Sequence, residues 1–260
     1  MLRALYSAAA GMQSQQMNLD VISNNLANTN TTGFKASRLQ FQDLLYENTR
    51  EAGSQQGGGN MLPASLQIGQ GSVYAGTTRS FTQGDLTQTG NNLDIAIQGN
   101  GFFEVQMPDG TLAYTRDGSF KTDSQGRIVT SDGYPVQSGF QPVPTGTTSI
   151  NITASGAGTY KTGSGSTNFQ IQLARFINPG GLDAIGHNLY KVTNASGTAE
   201  LGDPNQNGFG ELQQGSLELS NVSVVQEMVN LILAQRAYEV NSKAVQAADE
   251  MMQQSNNLQR

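Results

Sequence analysis

The chain contains no cysteine among its 260 residues. Disulfide frameworks, thiolate catalysis and cysteine-based zinc sites are therefore excluded, although this absence alone does not identify the compartment. The one histidine, His187, has no second histidine or cysteine with which to share a metal, and no pattern supplies it with triad partners. We expect His187 to be a loop or surface residue.

Charge is also scarce in this chain. Only 13% of the residues are charged, the net charge is -6, and no basic run occurs. Nucleic-acid and lipid surfaces are bound by clustered lysine and arginine, and a membrane span needs roughly 20 apolar residues. Met1–Ala10 holds no apolar run long enough for a cleavable signal. We expect no nucleic-acid partner, no membrane embedding and, if the protein is exported, a route other than general secretion.

No catalytic or metal-binding pattern is legible. The Asp-Gly pairs that begin at Asp109, Asp117 and Asp132 lack the closely spaced oxygen ligands of a calcium loop. Gly99-Asn100-Gly101 lacks the helix and lysine that a phosphate loop requires. An enzyme would need a cluster of titratable groups with positioned partners. The sequence therefore predicts a protein without enzymatic activity, cofactor or metal.

What the chain does have is an apolar heptad repeat near each end. Residues at heptad spacing form a helical seam that packs against a partner helix. This predicts helices over 2–28 and 222–256, paired as one discontinuous coiled-coil domain. The repeat consists of Leu5, Met12, Leu19 and Leu26 near the N-terminus and of Val224, Leu231, Tyr238, Val245 and Met252 near the C-terminus. Asn24, Asn25 and Asn28 crowd the end of the first helix, and we assign them to the same predicted assembly interface.

Two interpretations of these helices remain open. They could pair within one chain and close a monomeric domain. Against this, the second helix carries further apolar residues around its seam, and uncharged amides cover the first helix. A helix that is apolar over a wide arc is buried on several sides, so we favour assembly. The further apolar residues are Val225, Met228, Val229 and Ile232, and the amides are Gln13, Gln15, Gln16 and Asn18.

Residues 34–72 form a segment of different composition. An apolar lead is followed by a flexible glycine-rich stretch around 53–60 and by an apolar return. The segment is predicted to be extended, with a disordered linker as the alternative. Its apolar residues are Phe41, Leu44, Leu45 and Tyr46 in the lead and Leu62, Leu66 and Ile68 in the return.

Residues 73–221 have the period of two that is typical of strands. Turn pairs recur at nearly even spacing and predict antiparallel hairpins. We expect loops over 141–167, which are rich in Pro, Thr, Gly and Ser. The predicted fold class is α+β: an assembly domain of 1–33 and 222–260, an extended segment of 34–72, and a β-rich central domain of 73–221. The turn pairs begin at Asn100, Asp109, Asp117, Gln125 and Asp132, each followed by glycine.

Both ends of the chain carry strings that resemble a known family. Ser23–Lys35 reads SNNLANTNTTGFK, and Ala234–Lys243 reads AQRAYEVNSK, followed by AADEM over 247–251. These resemble the N- and C-terminal signatures of the flagellar basal-body rod and hook family, in the correct order. The strings at 41–46 and 66–69, with GNGFF at 99–103 and YTRDG at 114–118, resemble the distal-rod branch of that family.

The resemblance implies a structural subunit of the distal rod, exported through the flagellar type III apparatus and assembled by its terminal helices. It implies a hollow helical drive shaft that crosses the periplasm to the outer membrane and carries torque from motor to hook. Its partners would be further copies of itself, proximal rod proteins, the hook protein, and the L- and P-ring proteins. The alternatives are a proximal rod or hook subunit, or, in a different class, a secreted β-domain adhesin with a coiled-coil stalk.

Overall fold

The structure is a computed structural model in which the chain divides into two units. The first unit comprises Met1–Leu26, Ser37–Thr78 and Val224–Arg260, and the second comprises Ala27–Ala36 and Arg79–Ser223. The predicted three-part domain division stays a prediction. The described residues are 2–50, 52–53, 55–56, 60–61, 63–163 and 165–258.

The two ends of the chain are helical, as the heptads predicted. Helix α1 spans Leu2–Ala27 and ends where asparagine and threonine become frequent, because these residues favour turns over helix interiors. Helix α2 spans Val224–Leu258, with Glu227 in its first turn, where the helix dipole favours a carboxylate. Both helices belong to the first unit. The predicted α+β class, with paired terminal helices, is confirmed.

The described residues between 37 and 79 form a folded-back antiparallel ribbon, which we call the ribbon. Its strands pair β1 with β6, β2 with β5 and β3 with β4. In the middle pair, Glu47 lies opposite Ile68 and Asn48 lies opposite Gln67. The extended segment predicted from sequence is thus a strand pair in which the apolar lead and return adjoin. The strands are β1 Ser37–Asp43, β2 Tyr46–Arg50, β3 Gln55–Gln56, β4 Asn60–Met61, β5 Leu66–Gly69 and β6 Ser72–Arg79.

The second unit consists of small antiparallel sheets and one short 3-10 helix, Pro179–Gly181. Its strands are β7 Leu86–Gln88, β8 Ile95–Gln98, β9 Phe103–Gln106, β10 Leu112–Thr115, β11 Lys121–Thr122, β12 Ile128–Val129, β13 Thr147–Ile152, β14 Ala157–Thr162, β15 Gly165–Gln170, β16 Leu173–Arg175, β17 Asp183–Gly186, β18 Leu189–Lys191, β19 Glu200–Gly202, β20 Glu211–Gln214 and β21 Ser216–Glu218. The largest sheet has the order β17-β18-β10-β9, and a three-stranded sheet has the order β13-β14-β15. Elsewhere β20 pairs with β8, β21 with β7, β16 with β19 and β11 with β12.

The predicted hairpin turns are confirmed in part. Asp109-Gly110 joins the paired strands β9 and β10, and Gln125-Gly126 joins β11 and β12. Asn100-Gly101 and Asp117-Gly118 do not join paired strands, because β8 pairs with β20 and β10 pairs with β9 and β18. Gly118 serves a different purpose: a Cβ there would lie 1.8 Å from the carbonyl oxygen of Ile95. Glycine is needed at this position for close backbone approach.

The loops predicted over 141–167 are wrong for much of that range. Strands β13, β14 and the start of β15 occupy it and pair in register, with Ile150 opposite Tyr160 and Gly158 opposite Phe169. Threonine and glycine dilute the alternation, yet Ile152, Tyr160 and Phe169 are buried in the main core. A few large side chains on one face therefore hold a sheet whose composition is typical of loops.

Tyr160 allows the contribution of this core to stability to be tested at alkaline pH. It is fully buried, its ring stacks on Phe169 with centroids 4.4 Å apart, and its hydroxyl donates to the carbonyl oxygen of Gln141 at 3.0 Å. Burial raises the pKa of Tyr160 to about 12. Because the folded-state pKa exceeds the usual value of about 10, the neutral hydroxyl stabilises the fold fully below pH ~10 and this contribution is lost as pH rises toward ~12. We expect up to ~2 kcal/mol of unfolding free energy to be lost in this way.

The measurement is urea unfolding at about pH 9 and about pH 11.5. Tyr160→Phe should lose less unfolding free energy between the two pH values than the wild type does. Tyr6→Phe, at a side chain of the first unit that is 76% exposed, is the matched control. An identical pH dependence for Tyr160→Phe and the wild type would contradict the prediction.

Candidate assembly surfaces

Helix α2 presents an apolar stripe that the single chain leaves exposed. We define the α2 stripe as Val225, Met228, Val229 and Ile232, whose spacing places them on one helical face. Val225 is 74% exposed and Ile232 is 56% exposed. Exposed contiguous apolar surface of this kind is typical of a protein–protein contact. Further exposed apolar residues of α2 are Val224, Leu233, Tyr238, Val240 and Met251.

Small residues mark the packed side of the same helix. A Cβ added to Gly11 of α1 would lie 2.9 Å from Nδ2 of Asn241, so the two helices approach closely there. Ala234 and Ala248 lie seven positions on either side of Asn241 and are both buried. These positions were not predicted from the heptad repeat, because that repeat consists of large apolar side chains. The 234–241–248 spacing is the signal that could have revealed them.

The predicted seam residues of both helices are partly buried or exposed in the single chain. Asn25 is buried and engaged at the end of α1: its Nδ2 donates to the carbonyl oxygen of Ser37 at 2.8 Å, and its Oδ1 accepts from the Ser37 N–H at 2.9 Å. Oδ1 of Asn28 accepts from the Thr31 hydroxyl, and Asn24 is exposed. Contacts between copies through these residues stay a prediction. Leu5, Met12, Leu19, Leu26, Leu231, Val245 and Met252 are partly buried, and Val224 and Tyr238 are exposed.

The ribbon carries a second exposed apolar surface. Leu45 is the most prominent residue, with 83% of its side chain exposed. A cavity of about 340 Å³ opens between α1 and the ribbon, lined in part by Tyr6, Leu44 and Ile68. Leu62 of the predicted segment lies outside the described residues. The other predicted residues, Phe41, Leu44, Tyr46, Leu66 and Ile68, are all exposed.

The second unit holds a buried charge cluster, which we define as Lys35, Arg116 and Glu218. Nζ of Lys35 lies 2.6 Å from Oε1 of Glu218, and neither side chain is exposed to solvent. The same Nζ donates to the carbonyl oxygen of Thr82 at 2.7 Å, and Oε1 of Glu218 also accepts from the Gly84 N–H at 2.9 Å. Nε of Arg116 lies 3.7 Å from Oε2 of Glu218. One carboxylate thus faces two cations.

Burial governs the electrostatics of this cluster. It lowers the pKa of Lys35, while the charge of Glu218 acts in the opposite direction. Burial also lowers the pKa of Arg116, again opposed by Glu218. Removing Glu218 would leave two buried cations without their carboxylate, which is a costly arrangement.

The cluster lies where the chain enters and leaves the second unit. The Gly33 N–H donates to the carbonyl oxygen of Glu218 at 2.8 Å, and the Ser80 N–H donates to that of Ala36 at 2.9 Å. The side chain of Asn221 accepts from the Ala36 N–H at 2.8 Å and donates to the carbonyl oxygen of Ser80 at 2.9 Å. Segments 33–36, 80–84 and 218–221 are therefore tied to one another.

Sequence reasoning missed this cluster. Lys35 and Arg116 stand within the family-like strings, but neither was recognised as part of a charged group. The available signal was the position of Glu218. It is a charged residue within the otherwise uncharged segment Ser216–Leu219, in a chain with few charges. The pairing itself could not be predicted from the sequence, since Lys35 and Glu218 are 183 positions apart.

The described residues carry no metal site of the usual kind. They include no group of three or more His, Asp or Glu side chains that could hold a metal ion. His187 is exposed, with its Nδ1 3.3 Å from Oδ2 of Asp132. Neither helix in the described part of the chain has the length and apolar character needed to cross a membrane.

Comparisons with known proteins agree with the organisation described above. Residues 5–35 match the family "Flagella basal body rod protein", 96–160 match "Flagellar hook protein FlgE/F/G D1 domain", and 213–258 match "Flagellar basal body rod FlgEFG protein C-terminal". The chain is 48% identical over 264 residues to "Flagellar basal-body rod protein FlgG" of Borreliella burgdorferi, with 100% of both chains covered. It is 50% identical over 262 residues to the protein of the same name from Caulobacter vibrioides, with 99% of each covered.

Proposed function

Because the chain belongs to the flagellar basal-body rod protein family, we propose that it polymerises through its terminal helices into a hollow helical drive shaft. It is a non-enzymatic structural subunit of the distal rod and a member of the hook–basal-body complex. The resemblance predicted from the terminal strings is confirmed. The proposal concerns how the subunit assembles and what the polymer does.

The α2 stripe is the observation that carries this proposal. One side of α2 is occupied within the chain, whereas Val225, Met228, Val229 and Ile232 remain exposed. Burial of such surface is favourable by about 25 cal/mol per Å² of apolar area. A contact that joins one surface of a subunit to a different surface of its neighbour generates a helical filament when the rotation between them does not close a ring. An exposed helix face with an occupied opposite face suits that kind of repeated contact.

The neighbours and the route follow from the same proposal. The rod would extend across the periplasm to the outer membrane, between proximal rod proteins and the hook protein, inside the L- and P-rings. The subunit would be exported by the flagellar type III apparatus. Torque would pass along the polymer from the motor to the hook.

Electron microscopy of the purified chain, concentrated until it polymerises, tests the assembly. Hollow, straight tubes of uniform diameter are the expected result. Amorphous aggregates, or a chain that remains monomeric at every concentration reached, would contradict the proposal. An unrelated globular protein of similar net charge, at the same concentration, is the control for nonspecific precipitation.

We further propose that the ribbon stiffens the shaft. A shaft resists bending when neighbouring subunits cannot slide, and exposed Leu45, Tyr46 and Leu66 could be buried across such a boundary. Deleting Glu47–Gln70 should leave helix-driven assembly intact and produce flexible or curved tubes. The measurement is the persistence length of the tubes in electron micrographs. Unchanged stiffness would leave the segment as a linker or a ring-contact surface.

A matched pair of variants separates apolar contact from mere shortening. Leu66 and Ile68 share one face of β5, whereas Asn48 and Gln67 lie opposite each other on the other face. Leu66→Asn with Ile68→Asn should reduce the persistence length. Asn48→Ala with Gln67→Ala should not, because it removes no apolar side chain.

A further inference from the structure

The second unit contains a cavity of about 290 Å³ whose lining includes no residue of the α2 stripe or the ribbon. This is slightly below the usual range of small-molecule sites, roughly 300–1,000 Å³, and suits one inserted side chain. Its lining combines aromatic rings with a guanidinium and an exposed aliphatic rim: Phe81, Asn100, Phe102, Arg116, Phe176 and Ile177 are among the lining residues.

Arg116 supplies this cavity with positive charge. Only 4% of the residue is exposed, and its Nη2 donates to the carbonyl oxygen of Gly99 at 2.6 Å. Within the described residues, its Nε and Nη1 have no hydrogen-bond partner. A guanidinium cannot lose its charge, so both N–H donors need an acceptor.

Glu218 does not satisfy these two N–H donors of Arg116. Its Oε1 is engaged by Lys35, and its Oε2, which also has no hydrogen-bond partner among the described residues, lies 3.7 Å from Nε of Arg116, beyond hydrogen-bond distance. Two cations and one carboxylate leave the buried charge cluster with an excess of positive charge. Arg116 is the member of the cluster that lines the cavity, and we call it the cavity floor. Arg175, which also lines the cavity, is already paired with Glu200 at 2.8 Å.

The aromatic walls favour a particular kind of ligand. The Arg116 guanidinium lies 5.7 Å from the ring centroid of Phe102, and Phe102 makes edge contacts with Phe81 and Phe176. Such walls exclude water, contact methylene groups and strengthen a charge–charge interaction. A carboxylate on a short aliphatic stem matches both the walls and the floor, because a hydrogen bond between an arginine N–H and a carboxylate is charge-assisted.

We propose that this cavity receives an acidic side chain from a second copy of the chain, as a contact between adjacent subunits. The chain has a net charge of -6, so carboxylates outnumber the cations that could pair with them, and a positive cavity complements a copy of the same chain. Ile177, which is 93% exposed at the rim, would be covered by the incoming segment. This inference rests on the proposed polymerisation.

A substitution at the rim tests the site without touching its floor. Ile177→Glu should repel or replace the incoming carboxylate and raise the critical concentration for polymerisation about tenfold or more. Ile185→Glu makes the same change at another exposed isoleucine of the second unit and should leave the critical concentration unchanged. If Ile177→Glu left the critical concentration unchanged, or if both variants raised it equally, the inference would be overturned.

The monomer provides an independent measurement. Propionate is the probe, with isosteric propionamide as its control, and the side-chain ¹⁵N resonances of Arg116 report binding. Propionate should shift these resonances, propionamide should not, and Ile177→Glu should abolish the propionate shift. Equal shifts from propionate and from chloride at the same ionic strength would overturn the carboxylate site. Wild-type chain that forms no tubes would instead contradict the proposed polymerisation, whichever way the titration turned out.

Discussion

Ile232→Asp is expected to abolish polymerisation while leaving the monomer folded. Ile232 is 56% exposed in the single chain, so a charge there remains hydrated and should change the unfolding free energy by no more than about 0.5 kcal/mol. In the polymer the same carboxylate would be desolvated against an apolar surface, at a cost of several kcal/mol. Repeated at every subunit contact, this cost should remove tubes at any concentration that the wild type needs.

Pelleting assays and electron microscopy measure the loss of tubes, and thermal unfolding measures the stability of the monomer. Gln226→Asp is the matched control, since Gln226 is an exposed polar residue of the same helix and lies about 100° around the helix axis from Val225, off the face of the α2 stripe. Normal tubes from Ile232→Asp would show that the stripe is not an assembly surface. Swimming assays in a strain that expresses only the variant should give the same ranking.

Glu218→Gln is expected to lower the unfolding free energy of the second unit by about 3–5 kcal/mol. The substitution preserves shape but removes the carboxylate that lies 2.6 Å from Nζ of Lys35, and Lys35 and Arg116 then remain buried as like charges. Oε1 of Glu218 also accepts from the Gly84 N–H. The amide oxygen of glutamine can keep this hydrogen bond, so the loss reports charge rather than a lost acceptor.

Urea unfolding of the full chain measures this effect. Glu239→Gln is the matched control, because Glu239 pairs with Arg236 at 2.9 Å on the exposed surface of α2. An exposed pair contributes about 0–1 kcal/mol, so this control should scarcely change the unfolding free energy. If Glu218→Gln lost less than about 1 kcal/mol, the view that the buried charge cluster holds the three segments together would be wrong.

The two variants test different parts of the molecule. Ile232→Asp leaves the folded chain intact and removes a surface between copies. Glu218→Gln acts inside one unit, where segments 33–36, 80–84 and 218–221 are hydrogen-bonded to one another. The proposed role in torque transmission requires both a contact surface and firmly anchored connections within the chain.

Several features of the fold were predictable from short stretches of sequence. The helical ends were predicted correctly because apolar periodicity is a local property of ten or more residues. The hairpin at Asp109-Gly110 was predictable for the same reason, since a short turn depends on its own residues. The β13-β14-β15 sheet was not predictable in this way, because its strands alternate weakly and depend on Tyr160 and Phe169 reaching a core formed elsewhere.

The sequence by itself determined the terminal helices, the family and the absence of thiol chemistry, because each depends on residue identity or on local spacing. Only the tertiary structure decided which face of α2 stays exposed, since Val225 and Ala234 are both apolar and differ only in what packs against them. It likewise decided that the apolar lead and return of the ribbon pair as strands. It brought together Lys35 and Glu218, 183 positions apart, because a buried charge must be matched by whatever partner the fold brings near.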